Sequence, residues 1–99
     1  MENKYPENPI IIVDDEKHAL KSYEFAFLSS GINNVLLCED GRDVRKILRE
    51  NNASLVILDI IMPHVSGEDV LKSITSEYPD LPVIMITGLN SIEDAVSCM

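Results

Sequence analysis

Four short apolar runs recur along the chain at a steady interval: Ile10–Val13, Val35–Cys38, Leu55–Leu58 and Val83–Ile86. Each is nearly unbroken and most of its residues are aliphatic. A strand with one face in water alternates apolar with polar residues, whereas a continuous run is buried on both faces, as in a parallel sheet. Between the runs the apolar positions change to helical spacing. In Glu16–Ser30 the stripe is Leu20, Tyr23 and Phe27, and Gly31 supplies a stop. In Gly41–Glu50 it is Val44, Ile47 and Leu48, and in Gly67–Tyr78 it is Val70, Leu71, Ile74 and Tyr78. Ser66 followed by Asp69 resembles a capping box with Asp in place of Glu. Pro79 and Pro82 end the third helix and admit the fourth strand. A fourth helix starts at Ser91, with Ile92, Ala95, Val96 and Met99 on its stripe.

The order β-α-β-α-β-α-β-α predicts an α/β fold, a doubly wound parallel sheet with helices on both faces. Residues 9–99 make one domain behind an N-terminal extension, residues 1–8. Ligands of such sheets bind beyond the carboxyl ends of the strands, where the strand order reverses. The chemistry is therefore expected on that rim.

The rim is acidic. Strand one runs into Asp14-Asp15-Glu16, strand three into Asp59-Ile60-Ile61-Met62-Pro63, and strand four into Thr87-Gly88. Carboxylates from two strands that meet on one rim raise each other's pKa unless a cation or hydrogen bonds offset them. Mg²⁺, or Mn²⁺ in its place, suits such a site: it takes oxygen ligands, one or two of them carboxylates, and fills the rest of its shell with water and phosphate. A carboxylate beside that cation can also be a nucleophile towards phosphorus and form an aspartyl phosphate. Thr87 offers a hydroxyl donor, and Gly88 lets the chain turn after it.

Overall charge narrows the partners. Eight Lys and Arg against 17 Asp and Glu give a net charge of −9 over 99 residues, which disfavours direct contact with nucleic acid or an anionic membrane. The run Met1-Glu2-Asn3-Lys4 lacks the order of a signal peptide, and no apolar run approaches the roughly 18 residues of a membrane span. Cys38 and Cys98 have no CxxC spacing; Cys38 reads as a small core residue and Cys98 falls off its helix stripe. A cytoplasmic protein is expected.

Ile11-Ile12-Val13-Asp14-Asp15-Glu16, then Leu58-Asp59-Ile60-Ile61-Met62-Pro63 with Gly67 downstream, then Ile86-Thr87-Gly88, resemble the receiver domain of two-component response regulators. The likeness runs from about Pro9 to Met99. It implies the flavodoxin-like strand order 2-1-3-4, with Asp59 as phospho-acceptor. It implies Mg²⁺ held by Asp15, Asp59 and the backbone carbonyl of Ile61, with Asp14 acting through water. Thr87, beside Gly88, would be the switch hydroxyl. Ile61 and Leu89 would flank the path of the hydrolytic water, and His64 would tune access to Asp59. The donor would be the phosphohistidine of a sensor histidine kinase or a phosphotransfer protein. Such a domain is a phosphoryl acceptor, at most phosphorylating and dephosphorylating itself, and no other enzyme is expected.

The resemblance also has gaps. Receivers continue into a fifth strand with a Lys-Pro pair and a switch aromatic, and then a fifth helix; none of these lies within Met1–Met99. The chain thus reads as a receiver cut before its fifth strand, and self-association through strand four and helix four is expected of it. A degenerate receiver used only for docking is an alternative reading. A Mg²⁺-dependent phosphatase of the haloacid dehalogenase type is another, but its chemistry wants a second acid two residues after the nucleophile, where Ile61 stands. A flavin or nucleotide site would need a glycine- or hydroxyl-rich first loop, where Asp14-Asp15-Glu16 has the wrong sign. His18, among Lys17 and Lys21, reads as a surface residue.

Overall fold

The computed structural model describes residues 3–86. Four parallel strands, β1 (Ile10–Val13), β2 (Val35–Cys38), β3 (Leu55–Asp59) and β4 (Val83–Ile86), form one sheet in the order β2-β1-β3-β4. Three helices connect them: α1 (Lys17–Ser29), α2 (Val44–Glu50) and α3 (Gly67–Glu77). This is the expected topology. The fourth helix, and with it Cys98, lies outside the described residues.

Alternate residues of the strands feed opposite faces, because successive side chains on a strand point to opposite sides. Ile11, Val13, Val56 and Leu58 pack with Val44 and Leu48 of α2 and Val70 and Ile74 of α3. Ile10, Ile12 and Ile57 pack with Leu20 of α1, and Tyr23 and Phe27 close over them. Burying one such side chain contributes roughly 2 kcal/mol. All four residues of β1 are buried, whereas β2 is buried only at Cys38 and β4 is partly exposed throughout. Among the four runs only β1 is buried at every residue, and β3 is buried from Val56 onward. In β4, Ile84 is 50% exposed.

Local chemistry sets the element ends. Gly31 takes a left-handed φ of +87° just past α1, a conformation that glycine adopts without a Cβ penalty. Ser66 Oγ accepts the Asp69 amide at 3.2 Å and caps α3, which is one half of the expected box. The second helix does not begin at Gly41: Gly41–Asp43 form a 3₁₀ turn, and the α-helix starts at Val44. Asp40 causes this by accepting the Arg42 amide at 2.9 Å and binding the Arg42 guanidinium.

Residues 3–8 are tied to the α1–β2 loop by two asparagines. The Tyr5 carbonyl accepts the amides of Asn33 and Asn34 at 2.9 and 3.1 Å. Asn33 Oδ1 accepts the Tyr5 amide at 2.7 Å, and Asn34 Nδ2 donates to the carbonyls of Pro6 and Glu7 at 2.9 and 3.0 Å. Asn34 is a buried polar residue, so these bonds offset its desolvation.

Candidate functional site

The strand order reverses between β1 and β3, and the carboxyl ends of these two strands carry the acids. Asp14 follows Val13 directly, its amide held by the Cys38 carbonyl at 3.0 Å. Asp59 is the last residue of β3, in register with Ile86 of β4. The next amide, that of Ile60, donates to the Ile86 carbonyl at 2.9 Å. Ladder bonds on both sides therefore fix where the two carboxyls emerge. Asp14, Asp15 and Asp59 each offer an oxygen, and these oxygens all lie within 4.8 Å of one another. Asp14 and Asp59 are 2% and 3% exposed, while Asp15 faces solvent.

Among the described residues, main-chain amides support these carboxylates. Asp14 Oδ1 accepts the Glu16 amide at 3.0 Å, and Asp59 Oδ1 accepts the Ile61 amide at 3.3 Å. Glu16 is the N-cap residue of α1 but makes no side-chain cap bond. Among the described residues the ion pairs are Lys21–Glu24, Arg42–Asp40 and Arg45–Glu77, none of which reaches the rim acids. Burial pushes Asp59 up to about 6, against the Ile61 amide bond, and the charges of Asp14 and Asp15 add to the rise. Burial likewise raises Asp14, against the Glu16 amide, with Asp15 and Glu16 adding to it. On the α1 face, burial and then the charges of Asp14 and Asp59 raise the Tyr23 phenol.

Such a rim fits a hard divalent cation: three convergent carboxylates, two of them buried, with no basic side chain paired to them among the described residues. By contrast, a cleft of about 440 Å³ lined by Leu48, Asn51, Tyr78, Leu81 and Pro82 lies at the other end of the sheet, away from Asp14, Asp15 and Asp59.

The loop after β3 completes the rim. Ile61 is 67% exposed although it is aliphatic, so it stands in solvent two residues past Asp59. His64 is exposed, with a left-handed φ of 71°. The Arg42 guanidinium holds the half-buried Asp40 at about 2, below the usual carboxylate range. Thr87, Gly88 and Leu89 lie outside the described residues. Sequence reasoning missed Gly67 as more than a motif position. Its amide donates to the Ile60 carbonyl at 2.9 Å, and a Cβ placed on it would collide with the Asp59 carbonyl oxygen.

The family model of the response regulator receiver domain matches residues 10–99. The chain belongs to this family. It is 32% identical over 88 residues to the probable transcriptional regulatory protein TcrX of Mycobacterium tuberculosis, covering 89% of this chain and 37% of that protein. The Enterococcus faecalis regulatory protein VanRB is also 32% identical, over 88% of this receiver and 39% of its own length. This receiver thus spans under two fifths of the length of these curated relatives. Among solved structures, a receiver domain protein from Clostridium thermocellum is 31% identical with a TM-score of 0.75, covering 93% of this chain and 74% of that one. The response regulator TrrA of Thermotoga maritima, solved in complex with Mg²⁺-BeF, is 29% identical with a TM-score of 0.77, covering 91% and 77%. The chain is therefore a receiver domain of two-component phosphorelay signalling, a family of phosphoryl acceptors rather than of conventional enzymes.

Proposed function

We propose that Asp59 is the phospho-acceptor and that the donor is a phosphohistidine on a sensor histidine kinase or a phosphotransfer protein. An Asp59 carboxylate oxygen attacks the phosphorus, the P–N bond breaks, and the imidazole leaves with its electron pair. The observation that carries this reading is the convergence of the Asp14, Asp15 and Asp59 oxygens within 4.8 Å, on a chain of this family. Asp15, Asp59 and the Ile61 carbonyl would hold Mg²⁺ or Mn²⁺, with Asp14 acting through water. When bound, that cation neutralises the carboxylates and the phosphoryl oxygens. The Ile61 amide orients Asp59 through its 3.3 Å bond, leaving the other oxygen for attack.

Thr87 is proposed as the switch hydroxyl, with Gly88 beside it. In support, Ile86, the residue before Thr87, is in register with Asp59. The apolar Ile61, with Leu89, would screen the phosphoryl group from an oriented water, and His64 would limit approach from the α2 side. Residues 9–99 would act as the receiver unit in the cytoplasm, with residues 1–8 as its extension. Self-association through the outer edge of β4 belongs to the same proposal and rests on the half-exposed Ile84. Light scattering at micromolar concentration, on the wild type and on Ile84→Lys, tests it.

Incubation with acetyl phosphate and Mg²⁺, followed by intact mass measurement, tests the main reading. A single phosphoryl adduct that is hydroxylamine-labile and lost in Asp59→Asn is expected. Continuous turnover without an adduct would instead indicate a phosphatase, and no adduct under any condition a docking module.

A further inference from the structure

Gly67 opens α3, yet its backbone makes no demand that only glycine meets. Among the described residues the glycine with a left-handed φ is Gly31, at +87°. Space is what excludes a side chain at Gly67. Its Cβ would run into the Asp59 carbonyl oxygen and lie 2.6 Å from Ile60 Cα and 2.9 Å from the Ile60 carbonyl oxygen. All three are main-chain atoms of the Asp59–Ile60 segment, which no rotamer change can move aside. Ile60 is pinned at both its amide and its carbonyl. The Ile60 amide is held by Ile86 at 2.9 Å, and the Ile60 carbonyl accepts the Gly67 amide at 2.9 Å. A Cβ here must therefore shift either the end of β3 or the start of α3.

Gly41 touches the same loop from the other side, in a softer way. Its Cβ would lie 2.7 Å from Val65 Cγ1, 3.1 Å from Met62 Cε and 3.2 Å from Val70 Cγ2, all of them side-chain ends. The loop of residues 60–66 thus runs between two glycines, one against its backbone and one against its side chains.

We infer that Gly67, seconded by Gly41, is a positioning residue for the cation-facing rim. The missing side chain lets α3 start against the Asp59–Ile60 peptide, which sets the direction of the Asp59 carboxyl and of the Ile61 carbonyl. This inference rests on the functional reading above.

Mg²⁺ titration followed by amide NMR, on the whole chain at a temperature well below unfolding, tests it. In Gly67→Ala the Mg²⁺ dissociation constant rises on the order of tenfold, as is usual when support behind a metal ligand is lost. The Ile60 and Ile61 amide resonances move even without Mg²⁺. Gly31→Ala, strained by its φ but with nothing within 4 Å, serves as the control for lost stability alone. It melts lower and binds Mg²⁺ as the wild type does. Gly41→Ala shows a smaller loss of Mg²⁺ affinity, recovered by adding Val65→Ala. It also serves as the readout should Gly67→Ala not fold. Wild-type Mg²⁺ affinity in Gly67→Ala, or in Gly41→Ala if only that variant folds, overturns the inference alone. A wild type that binds no Mg²⁺ overturns the functional reading and this inference together.

Discussion

The two ends of the β-sheet are built on opposite principles. At the amino-terminal end the side chains that tie the loops together are neutral amides with their partners in place. Asn33 and Asn34 hold residues 5–7, and the Pro9 carbonyl accepts the Ser54 amide at 2.9 Å. At the carboxyl-terminal end three carboxylates converge, and the two buried ones have main-chain amides for support but no basic partner among the described residues. The first end lowers the energy of the fold, and the second stores repulsion that a cation can release. On the function proposed above, cation affinity would come from the end that costs stability.

The contrast breaks most visibly at Asn34. Asn34→Ala removes two hydrogen bonds, to the carbonyls of Pro6 and Glu7, and should cost about 2 kcal/mol in urea unfolding. Its Mg²⁺ response should stay that of the wild type. A parallel loss of Mg²⁺ binding would show that the two ends are not independent.

Next in size is the effect of the cation. At tenfold over its dissociation constant Mg²⁺ should add about 1.4 kcal/mol to wild-type stability, by binding the folded state alone. Asp59→Asn should respond much less. Equal shifts in melting temperature for both proteins would contradict a shared site.

Without metal, the same substitution reads the stored repulsion directly. Asp59 titrates at about 6 in the fold against 3.8 for a free side chain, so between these values the folded chain binds the proton more tightly. Stability should therefore fall as pH rises from about 4 to about 6, and the full penalty persists above that. Asp59→Asn should flatten this slope and stabilise the metal-free protein at pH 7.5 by about 1 kcal/mol, after allowance for solvent screening. A mutant less stable than the wild type at pH 7.5, and equal to it at pH 4, would reverse the sign of the electrostatic argument. The smallest effect is kinetic. Ile61→Asn should speed loss of the phosphoryl group from Asp59 severalfold while leaving the melting temperature nearly unchanged, because Ile61 stands in solvent.

The acidic end was legible in the sequence because parallel strands must finish on one rim. Asp14 and Asp59 each follow directly on a run whose burial dictates a strand, so their meeting follows from topology alone. Runs and stripes likewise located every described strand and helix to within a few residues. The neutral end was not legible. Asn33-Asn34 reads as an ordinary loop, since nothing local says that the partners are 27 and 28 residues away. The 3₁₀ turn at Gly41 leaves no mark on the helical stripe of Val44, Ile47 and Leu48, because it depends on the Asp40 side chain accepting the Arg42 amide. His64 gave no sign of its left-handed backbone, and the half-exposure of Ile84 is invisible in a run as apolar as the buried ones. Contacts made through a missing side chain leave no pattern in a sequence, which is why the closeness of Gly67 to Asp59 emerged only in three dimensions.

That closeness limits the paths open to the gene. Every single-base change in a glycine codon that alters the residue introduces a Cβ, so no missense step from Gly67 avoids the Asp59 carbonyl. Further, no second change can clear the way, because the obstacle is main chain. Gly41 differs, since Val65→Ala, itself one base away, removes the atom that an alanine at 41 would strike. A lineage can drift through position 41 in two steps in either order, whereas position 67 is closed to it unless the loop between them is rebuilt.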